Sequence, residues 1–600
     1  MSQWIAGINL GHNAGVCLLK DGEVVFSVEE ERLSKSKHDG GPLLGMMKIL
    51  DYTDKLDYLV VTALTTHPND ELHFPVFDYS REDIWQGIAR RLGLIEQPDG
   101  ELDKQHPQVI KMFDNHHRLH STIAFYNSGF EQAACVVVDS NGSSKEFGTQ
   151  QEHAMYFEIE SIFDCSYDKG IKTLYKKLGC TKGRSYSVKE VHDEGLDEKY
   201  ALVADEGAGI GKVWDAVTDY CGFHVNEAGK TMGLSAFGNS IRSPLPDLFC
   251  GTTSNKDLIK ADYPNRTSLN ISKEEYEYLN DMDWCEDLTS SDLRRDLAYK
   301  VQQETQEQVL DLLIKASEIS GHKNVIMSGG YALNCVSNYY YLDKLNEKGI
   351  HLYCEPMSSD AGTATGAAML YYTQLNNRIS NNGRRKSLYL GPEYNYTLKD
   401  VREQAKKYGA IIETPRGASK VAKLLDDGEI VAIFQGRSEN GPRALGNRSI
   451  LFDPSVKNGK DIVNKVKGRE YFRPFAGTIL KEDVHEWFDM KEKQESPNMM
   501  YAVDVRQEKK EFIPAILHVD DTCRIQTVTK EQNKHFYELI EEFKVLTEIP
   551  ILFNTSFNLA GDPMVETLDD ALKVLQKSEL KYCWLPEHNT LIKLHNGEEV

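Results

Sequence analysis

Ile5-Ala-Gly-Ile-Asn-Leu10, Gly15-Val-Cys-Leu-Leu19 and Glu23-Val-Val-Phe-Ser-Val28, with Asp21-Gly22 between the last two, decide the fold. Short apolar runs bounded by turn residues predict strands, and Asp-Gly tolerates the positive φ that a two-residue hairpin requires. A second strand-then-turn unit recurs at Ala133-Ala-Cys-Val-Val-Val-Asp139-Ser-Asn-Gly142. Further on, residues 297–320 carry helical spacing. The strand at 324–327 then runs into Ser328-Gly329-Gly330, the pattern of a strand-to-helix phosphate turn.

Two hairpin-led units followed by helices imply a duplicated α/β domain of the actin and sugar-kinase type over residues 1–375. The stretch from Gln374 to Arg385 is polar and turn-rich, so a linker is expected at 376–386. Beyond it, a helix at 419–427 and a strand at 430–434 begin a second α/β domain over 387–600. Two domains suit 600 residues, more than one core usually organises.

No apolar run is long enough to span a bilayer, and the first residues enter a strand without a signal-like segment. A cytoplasmic chain is expected. Eleven cysteines without a C-x-x-C pair argue against a disulfide framework, a zinc ribbon and a thioredoxin-like site, leaving reduced thiols. Lys and Arg number 69 against 92 Asp and Glu, a net charge of -23, so an anionic substrate must meet a focused basic cluster.

Asp114-Asn-His116-His117-Arg-Leu-His120 supplies two imidazoles four residues apart, on one face of a helix, where both reach one ion. His117 stands where a zincin has its glutamate base, which removes the protease reading. Asp139 and Asp360, the latter in Ser358-Ser-Asp360-Ala-Gly362-Thr-Ala-Thr-Gly366, can add two oxygens. The alternative is that the histidines cap or pack against acidic neighbours. Gly207-Ala-Gly209-Ile-Gly211-Lys212 has its third glycine one place early for a dinucleotide loop and reads as a helix entry. Glu227-Ala-Gly229-Lys230-Thr231 lacks the first glycine of a Walker A loop. Gly329-Gly330 can admit a phosphate to backbone amides or be an ordinary turn.

In the second domain, Arg437, Arg443 and Arg448 fall within twelve residues, followed by Lys465, Lys467, Arg469 and Arg473. Apolar residues and glycines interleave with these charges, which suits a folded anion site better than a solvated face. Asn554 and Ser556, after the strand-like Ile551-Leu-Phe553, can orient a small carbonyl compound or fill a turn.

Taken in order, the chain resembles the O-carbamoyltransferase family of nodulation and antibiotic-biosynthesis enzymes. The segments are Gly7-Ile-Asn-Leu-Gly-His12; Val28-Glu-Glu-Glu-Arg32-Leu with Lys37-His38; His116-His117-Arg-Leu-His120; Glu227-Ala-Gly-Lys230-Thr-Met-Gly-Leu; Ser328-Gly-Gly330-Tyr-Ala-Leu-Asn334; Gly441-Pro-Arg443-Ala-Leu-Gly-Asn-Arg-Ser; His518-Val-Asp-Asp-Thr-Cys-Arg524-Ile-Gln526; and Asn554-Thr-Ser556-Phe-Asn558. The resemblance implies an actin-like metal domain, a duplicated RNase H-like structure, fused to a YrdC-like domain. Carbamoyl phosphate and ATP, with Mg2+ as an option, would yield carbamoyl adenylate in the C-terminal domain. The adenylate would pass internally to the N-terminal domain, where an acceptor hydroxyl attacks and AMP leaves.

By motif, Arg443, Lys467, Arg473, Arg524, Asn554 and Ser556 would hold carbamoyl phosphate and the developing adenylate. His116, His120, Asp139 and Asp360 would hold a divalent metal, iron(II) by resemblance, with zinc or manganese also suited to this donor set. Lys37, Gly329, Gly330 and Asn334 would hold the nucleotide. His12 would be the general base, a structural histidine in that turn being the alternative.

Two positions depart from the family pattern. Asn13 stands where Asp usually follows the histidine, and Asp521 stands where glycine is common. Residues 165–205 have little counterpart in the family motifs and are assigned to the acceptor pocket. The acceptor is expected to be a small hydroxylated molecule: a sugar, an antibiotic core or a nucleotide. A hydroxymethylated pyrimidine, free or in DNA, a threonylcarbamoyl transferase acting on tRNA, and a non-catalytic actin-type scaffold are the competing readings. Net acidity disfavours nucleic acid, and a homodimer is expected because symmetric pairs are the commonest assemblies.

Overall fold

The computed structural model describes all residues except 1, 64–83, 97–105, 148–153, 181–185, 194–197, 250–257, 264–266, 283–286, 376–377 and 595–600. Parts of two expectations lie outside the described residues: 376–377 of the linker, and 181–185 and 194–197 of the 165–205 stretch. The chain forms two compact units, Met1–Val25 with Gly40–Arg385, and Phe26–Asp39 with Lys386–Val600.

In the first unit, β1 (Trp4–Leu10), β2 (Gly15–Lys20), β3 (Glu23–Glu29), β4 (Tyr58–Ala63) and β5 (Val109–Lys111) form a sheet of order 3-2-1-4-5. The turn from β2 to β3 uses Asp21 at φ +53° and Gly22 at φ +85°, the left-handed corner anticipated from Asp-Gly. A second sheet contains β6 (Gln132–Val138), β7 (Ser144–Phe147), β8 (Ala154–Ser166), β9 (Gly170–Cys180), β10 (Tyr186–Asp193) and β11 (Glu198–Asp205). After the small pair β12 (Ile259–Lys260) and β13 (Ser268–Leu269), it is completed by β14 (Asn324–Ser328) and β15 (His351–Cys354). Its order is 10-11-9-8-6-14-15, with β7 against β8.

The last five in this order, 9-8-6-14-15, repeat the first sheet. In each, the central strand is antiparallel to one neighbour and parallel to the other: β1 to β2 and β4, β6 to β8 and β14. That repeat is the duplicated actin-like arrangement.

Small residues set how closely the helices lie. The helix Gly362–Gln374 packs on β1 and on the helix His116–Ser128, presenting buried Gly362, Ala364, Gly366 and Ala368. A Cβ on Gly366 would sit 2.2 Å from the Leu119 carbonyl oxygen, and one on Gly7 only 2.0 Å from that of Ala364. Only glycine allows either approach. The helix with 297–320 spacing starts earlier, at Asp292, because the Ser291 hydroxyl accepts from the Arg294 amide and caps it. Gly329-Gly330 does not open an α-helix directly. A 3-10 turn, Gly330–Leu333, intervenes, and the helix Cys335–Asn346 begins after Asn334.

The second unit is built on one mixed sheet of β16 (Ile411–Glu413), β17 (Val431–Phe434), β18 (Arg448–Phe452), β19 (Ala476–Leu480), β20 (Phe488–Asp489), β21 (Ala502–Val505), β22 (Thr522–Val528), β23 (Ile551–Ser556), β24 (Tyr582–Leu585) and β25 (Thr590–Lys593). Their order is 16-25-24-17-18-23-19-22-21-20. The helix Leu568–Lys577, opened by a Thr567/Asp570 capping box, buries Leu568, Ala571, Leu572 and Leu575 in its core. Among the described residues nine cysteines are free and buried, and no helix is long and apolar enough to cross a membrane.

Candidate active site

Two strand ends and two helix starts of the first unit converge. Asp139 follows β6, its amide donating to the Ile159 carbonyl (3.1 Å). The helix His116–Ser128 starts where the His116 amide donates to Ser143 Oγ (3.0 Å), and Ser328 at the end of β14 donates its hydroxyl to the His120 carbonyl (3.0 Å). Asp360 precedes the glycine-rich helix, its carbonyl accepting from the Thr363 amide (2.9 Å) and hydroxyl (2.6 Å).

The result is a compact donor set. One ligand atom from each of His116, His120, Asp139 and Asp360 lies within 4.8 Å of all the others. The two Nε2 atoms are 3.2 Å apart. Asp139 Oδ2 is 3.4 and 3.3 Å from them, and Asp360 Oδ1 3.6 and 3.7 Å. Tetrahedral ligands on bonds near 2.1 Å stand about 3.4 Å apart, so these spacings fit one first-row divalent ion. Both Nδ1 atoms are buried and make no hydrogen bond to described residues. Burial opposes charge on His120, but hydrogen bonds to Asp139 and Asp360 outweigh it and push its pKa up to about 9. The same imidazoles hold Asp139 well below the usual carboxylate range despite burial. A site that stabilises positive charge this strongly suits a cation. His117 turns away to Ser161 Oγ (2.8 Å), and burial pulls its pKa down to about 3.

His12 lies in the turn between β1 and β2, closed by Asn9 Nδ2 donating to the Asn13 carbonyl (3.1 Å). It is 42 % exposed, and its Nδ1 is 3.6 Å from Asp360 Oδ2. The carboxylate beside this imidazole therefore comes from Asp360, not from the neighbouring position that Asn13 occupies. Gly329, at φ +83°, abuts the Val138 backbone, where a Cβ would lie 2.4 Å from its oxygen; one on Gly330 would meet Asp139 Oδ1 at 3.4 Å. Asn334 is occupied as a helix cap: it accepts from the Ser337 amide (3.1 Å) and donates to Gln302 Oε1 (3.0 Å). Lys37 is exposed and lies in the Phe26–Asp39 segment of the other unit.

In the second unit, Arg524 pairs across the sheet with Ala476, and Ala476 with Asn554. All three point to one face, and the small alanine leaves room between the other two. Asn554 Nδ2 donates to Thr478 Oγ1 (2.9 Å) and the Ala444 carbonyl (3.2 Å), while its buried Oδ1 accepts nothing among the described residues. Lys467 Nζ donates to the Ser556 carbonyl, and to Asn558 Oδ1 at 2.9 Å. Burial, then Arg469 and Arg473, depresses its pKa well below the usual lysine range.

Arg469 is likewise held low by burial and by Arg473, Arg524 and Arg443, so these cations crowd one another. Arg469 belongs to this cluster, as its place in the basic run suggested, although the family motifs did not name it among the carbamoyl phosphate ligands. Two arginines from the dense run do other work. Arg448 is fully buried and donates to the carbonyls of Gln435 (2.6 Å), Gly436 (3.2 Å) and Glu566 (3.1 Å), and Arg437 to those of Gly391 (2.6 Å) and Leu390 (2.8 Å). Asp521 has φ +66°, a conformation glycine adopts freely, and its carboxylate pairs with Lys510 (2.9 Å).

The first unit thus carries a donor set of metal type, and the mixed α/β unit a cluster of buried cations. Residues 81–369 match the family description "Carbamoyltransferase N-terminus" and residues 422–592 "Carbamoyltransferase C-terminus". Nodulation protein NolNO of Sinorhizobium fredii is 30 % identical over 593 residues, covering 95 % of this chain and 77 % of that protein. The 3'-hydroxymethylcephem-O-carbamoyltransferase of Streptomyces clavuligerus is 28 % identical over 365 residues, 60 % of this chain and 63 % of that one. Among solved structures, full-length HypF in its phosphate- and nucleotide-bound form aligns with a TM-score of 0.34 at 14 % identity, covering 63 % of this chain and 47 % of HypF. The chain belongs to the carbamoyltransferase family and is a carbamoyltransferase.

Proposed function

We propose that the chain is an ATP-dependent O-carbamoyltransferase. At the second unit's cation cluster carbamoyl phosphate is hydrolysed to carbamate and phosphate, and a carbamate oxygen attacks the α-phosphorus of ATP, expelling pyrophosphate and leaving carbamoyl adenylate. The first unit transfers the carbamoyl group to an acceptor hydroxyl with release of AMP. The observation that carries this reading is the convergence of His116, His120, Asp139 and Asp360 beside His12, in a chain whose other unit concentrates Lys467, Arg469, Arg473, Arg524 and Arg443.

The cations neutralise phosphate oxygens, arginine forks matching them two at a time. Asn554 Oδ1 is open to accept from a carbamoyl NH2 group, which would orient the carbonyl carbon. His116, His120, Asp139 and Asp360 hold a divalent ion, iron(II), zinc or manganese; when bound it supplies Lewis-acid stabilisation of charge on phosphate oxygens. The Gly329-Gly330 backbone admits the nucleotide beside Asp139, with Asn334 bracing the turn. His12, oriented by Asp360, takes the proton from the acceptor hydroxyl as its oxygen attacks the carbamoyl carbon.

The test incubates the purified chain with ATP, carbamoyl phosphate and iron(II), following AMP release and the mass gain of one carbamoyl group on hydroxylated acceptors. AMP and carbamoylated product must appear together; no AMP under any metal supplied would end the proposal.

A further inference from the structure

The helix Ile210–Tyr220 carries Lys212 and Asp215 one turn apart, charged groups to which the reaction above gives no role. Its start is pressed against the chain that bears Asp139: a Cβ on Gly211 would lie 2.5 Å from the Asp139 carbonyl oxygen and from the Ser140 amide. Ser140 donates its hydroxyl to Asp215 Oδ2, and Lys212 Nζ stands 3.8 Å from the same oxygen. Lys212 is buried, 3 % exposed, with its ammonium 5.5 Å from the centre of the Tyr263 ring. Desolvating an ammonium costs several kcal/mol, so this pair is unlike a surface salt bridge. Ser140 directly follows Asp139 in the chain, so its hydrogen bond holds the Asp215 carboxylate beside the donor set.

The two contacts to Asp215 use Oδ2. Oδ1 accepts no hydrogen bond from the described residues, and the Asp215 side chain keeps 16 % of its surface exposed against 4 % for Lys212. The pair thus presents one open group, a carboxylate oxygen fixed from behind by a hydroxyl and a cation.

We propose that Asp215 binds the acceptor and selects it. Resting on the O-carbamoyl reading, the acceptor is a molecule with a second hydrogen-bond donor, hydroxyl or amine, next to the hydroxyl that reacts. Lys212 and Ser140 are positioning residues that hold the carboxylate. A vicinal diol or amino alcohol satisfies Oδ1; an isolated hydroxymethyl group leaves it unsatisfied, and a neighbouring phosphate is repelled.

The test compares methyl α-glucopyranoside, glucosamine and benzyl alcohol as acceptors with ATP, carbamoyl phosphate and iron(II), for the parent enzyme, Asp215→Asn and Asp215→Ser. The diol and the amino alcohol should exceed benzyl alcohol by about tenfold or more in kcat/KM. Both variants should lose about 10- to 100-fold on those two, mainly through KM, as expected for a hydrogen bond to a charged group. Pyrophosphate release from ATP and iron content should stay as in the parent, while the melting temperature should fall equally in the two variants because Lys212 loses its counter-charge in both. Equal use of all three acceptors, transfer to none while AMP forms, or a change under threefold in both variants would overturn the inference. If the parent forms no AMP, the O-carbamoyl reading fails instead, and calorimetric binding of glucosamine to parent and Asp215→Asn then decides this one, equal affinity or no binding counting against it.

Discussion

Gly366→Ala separates intrinsic helix propensity from packing at the donor set. In a helix alanine is favoured over glycine by about 1 kcal/mol, so propensity alone forecasts a more stable protein. The structure forecasts the opposite. The added Cβ would sit 2.2 Å from the Leu119 carbonyl oxygen, whereas ordinary contact begins at 3.4 Å. The helices Gly362–Gln374 and His116–Ser128 must then part by about 1.2 Å, an overpacking strain of roughly 1–3 kcal/mol. Asp360, at the head of the displaced helix, would move from 3.6 and 3.7 Å to about 5 Å from the two imidazole nitrogens, beyond the reach of one ion.

The melting temperature should fall by roughly 2–12 °C. Affinity for zinc or cobalt, measured by competition with a chromophoric chelator, should fall about 10- to 100-fold, as when a ligand's support is lost. Gly229→Ala is the control: it lies in the helix Ala228–Ser235 with nothing within 4 Å of a new Cβ, so propensity acts alone and stability should rise slightly. If Gly366→Ala melts like Gly229→Ala and keeps parental metal affinity, the account of how Asp360 reaches the histidines is wrong.

Three further tests follow from separate features. His116→Ala should lower carbamoyl transfer at least about 100-fold while carbamoyl phosphate-dependent release of pyrophosphate from ATP persists, and Arg443→Ala should lose pyrophosphate release itself; equal loss of both half-reactions in both variants would contradict two sites. Glu355 is fully buried; burial raises its pKa to about 7, against hydrogen bonds from the Met357 amide, Asn127 and Tyr353 that lower it. An acid whose folded pKa is raised destabilises the fold as pH climbs from its unfolded value near 4.5 to about 7, here by roughly 3 kcal/mol, so Glu355→Gln should flatten that decline in a pH series of thermal melts. Arg448→Met strands the carbonyls of Gln435, Gly436 and Glu566, and denaturant titration should show a loss of roughly 3 kcal/mol or more in the second unit.

The strands 5–10, 15–19 and 133–138, the Asp21-Gly22 corner and the pairing of His116 with His120 were legible in the sequence because each rests on a local rule: side-chain period, turn chemistry, helical spacing. The family was legible for a related reason, since its motifs are short and ordered along the chain. The meeting of Asp139 and Asp360 with those histidines was not local. It depends on β6 and β14 lying side by side and on Gly366 allowing two helices, far apart in sequence, to touch.

The same limit explains what sequence reading misassigned. Charge density grouped Arg437, Arg443 and Arg448, but whether an arginine meets phosphate or its own backbone is decided by which carbonyls lie beside it, and two of the three hold carbonyls. Gly207 to Lys212 read as a helix entry, which it is; that its helix sets Lys212 and Asp215 against Ser140 is a fact of packing. The sequence by itself determined which segments form strands and helices and what chemistry they bring. The tertiary structure decided which groups share a site, because that rests on contacts between residues hundreds of positions apart.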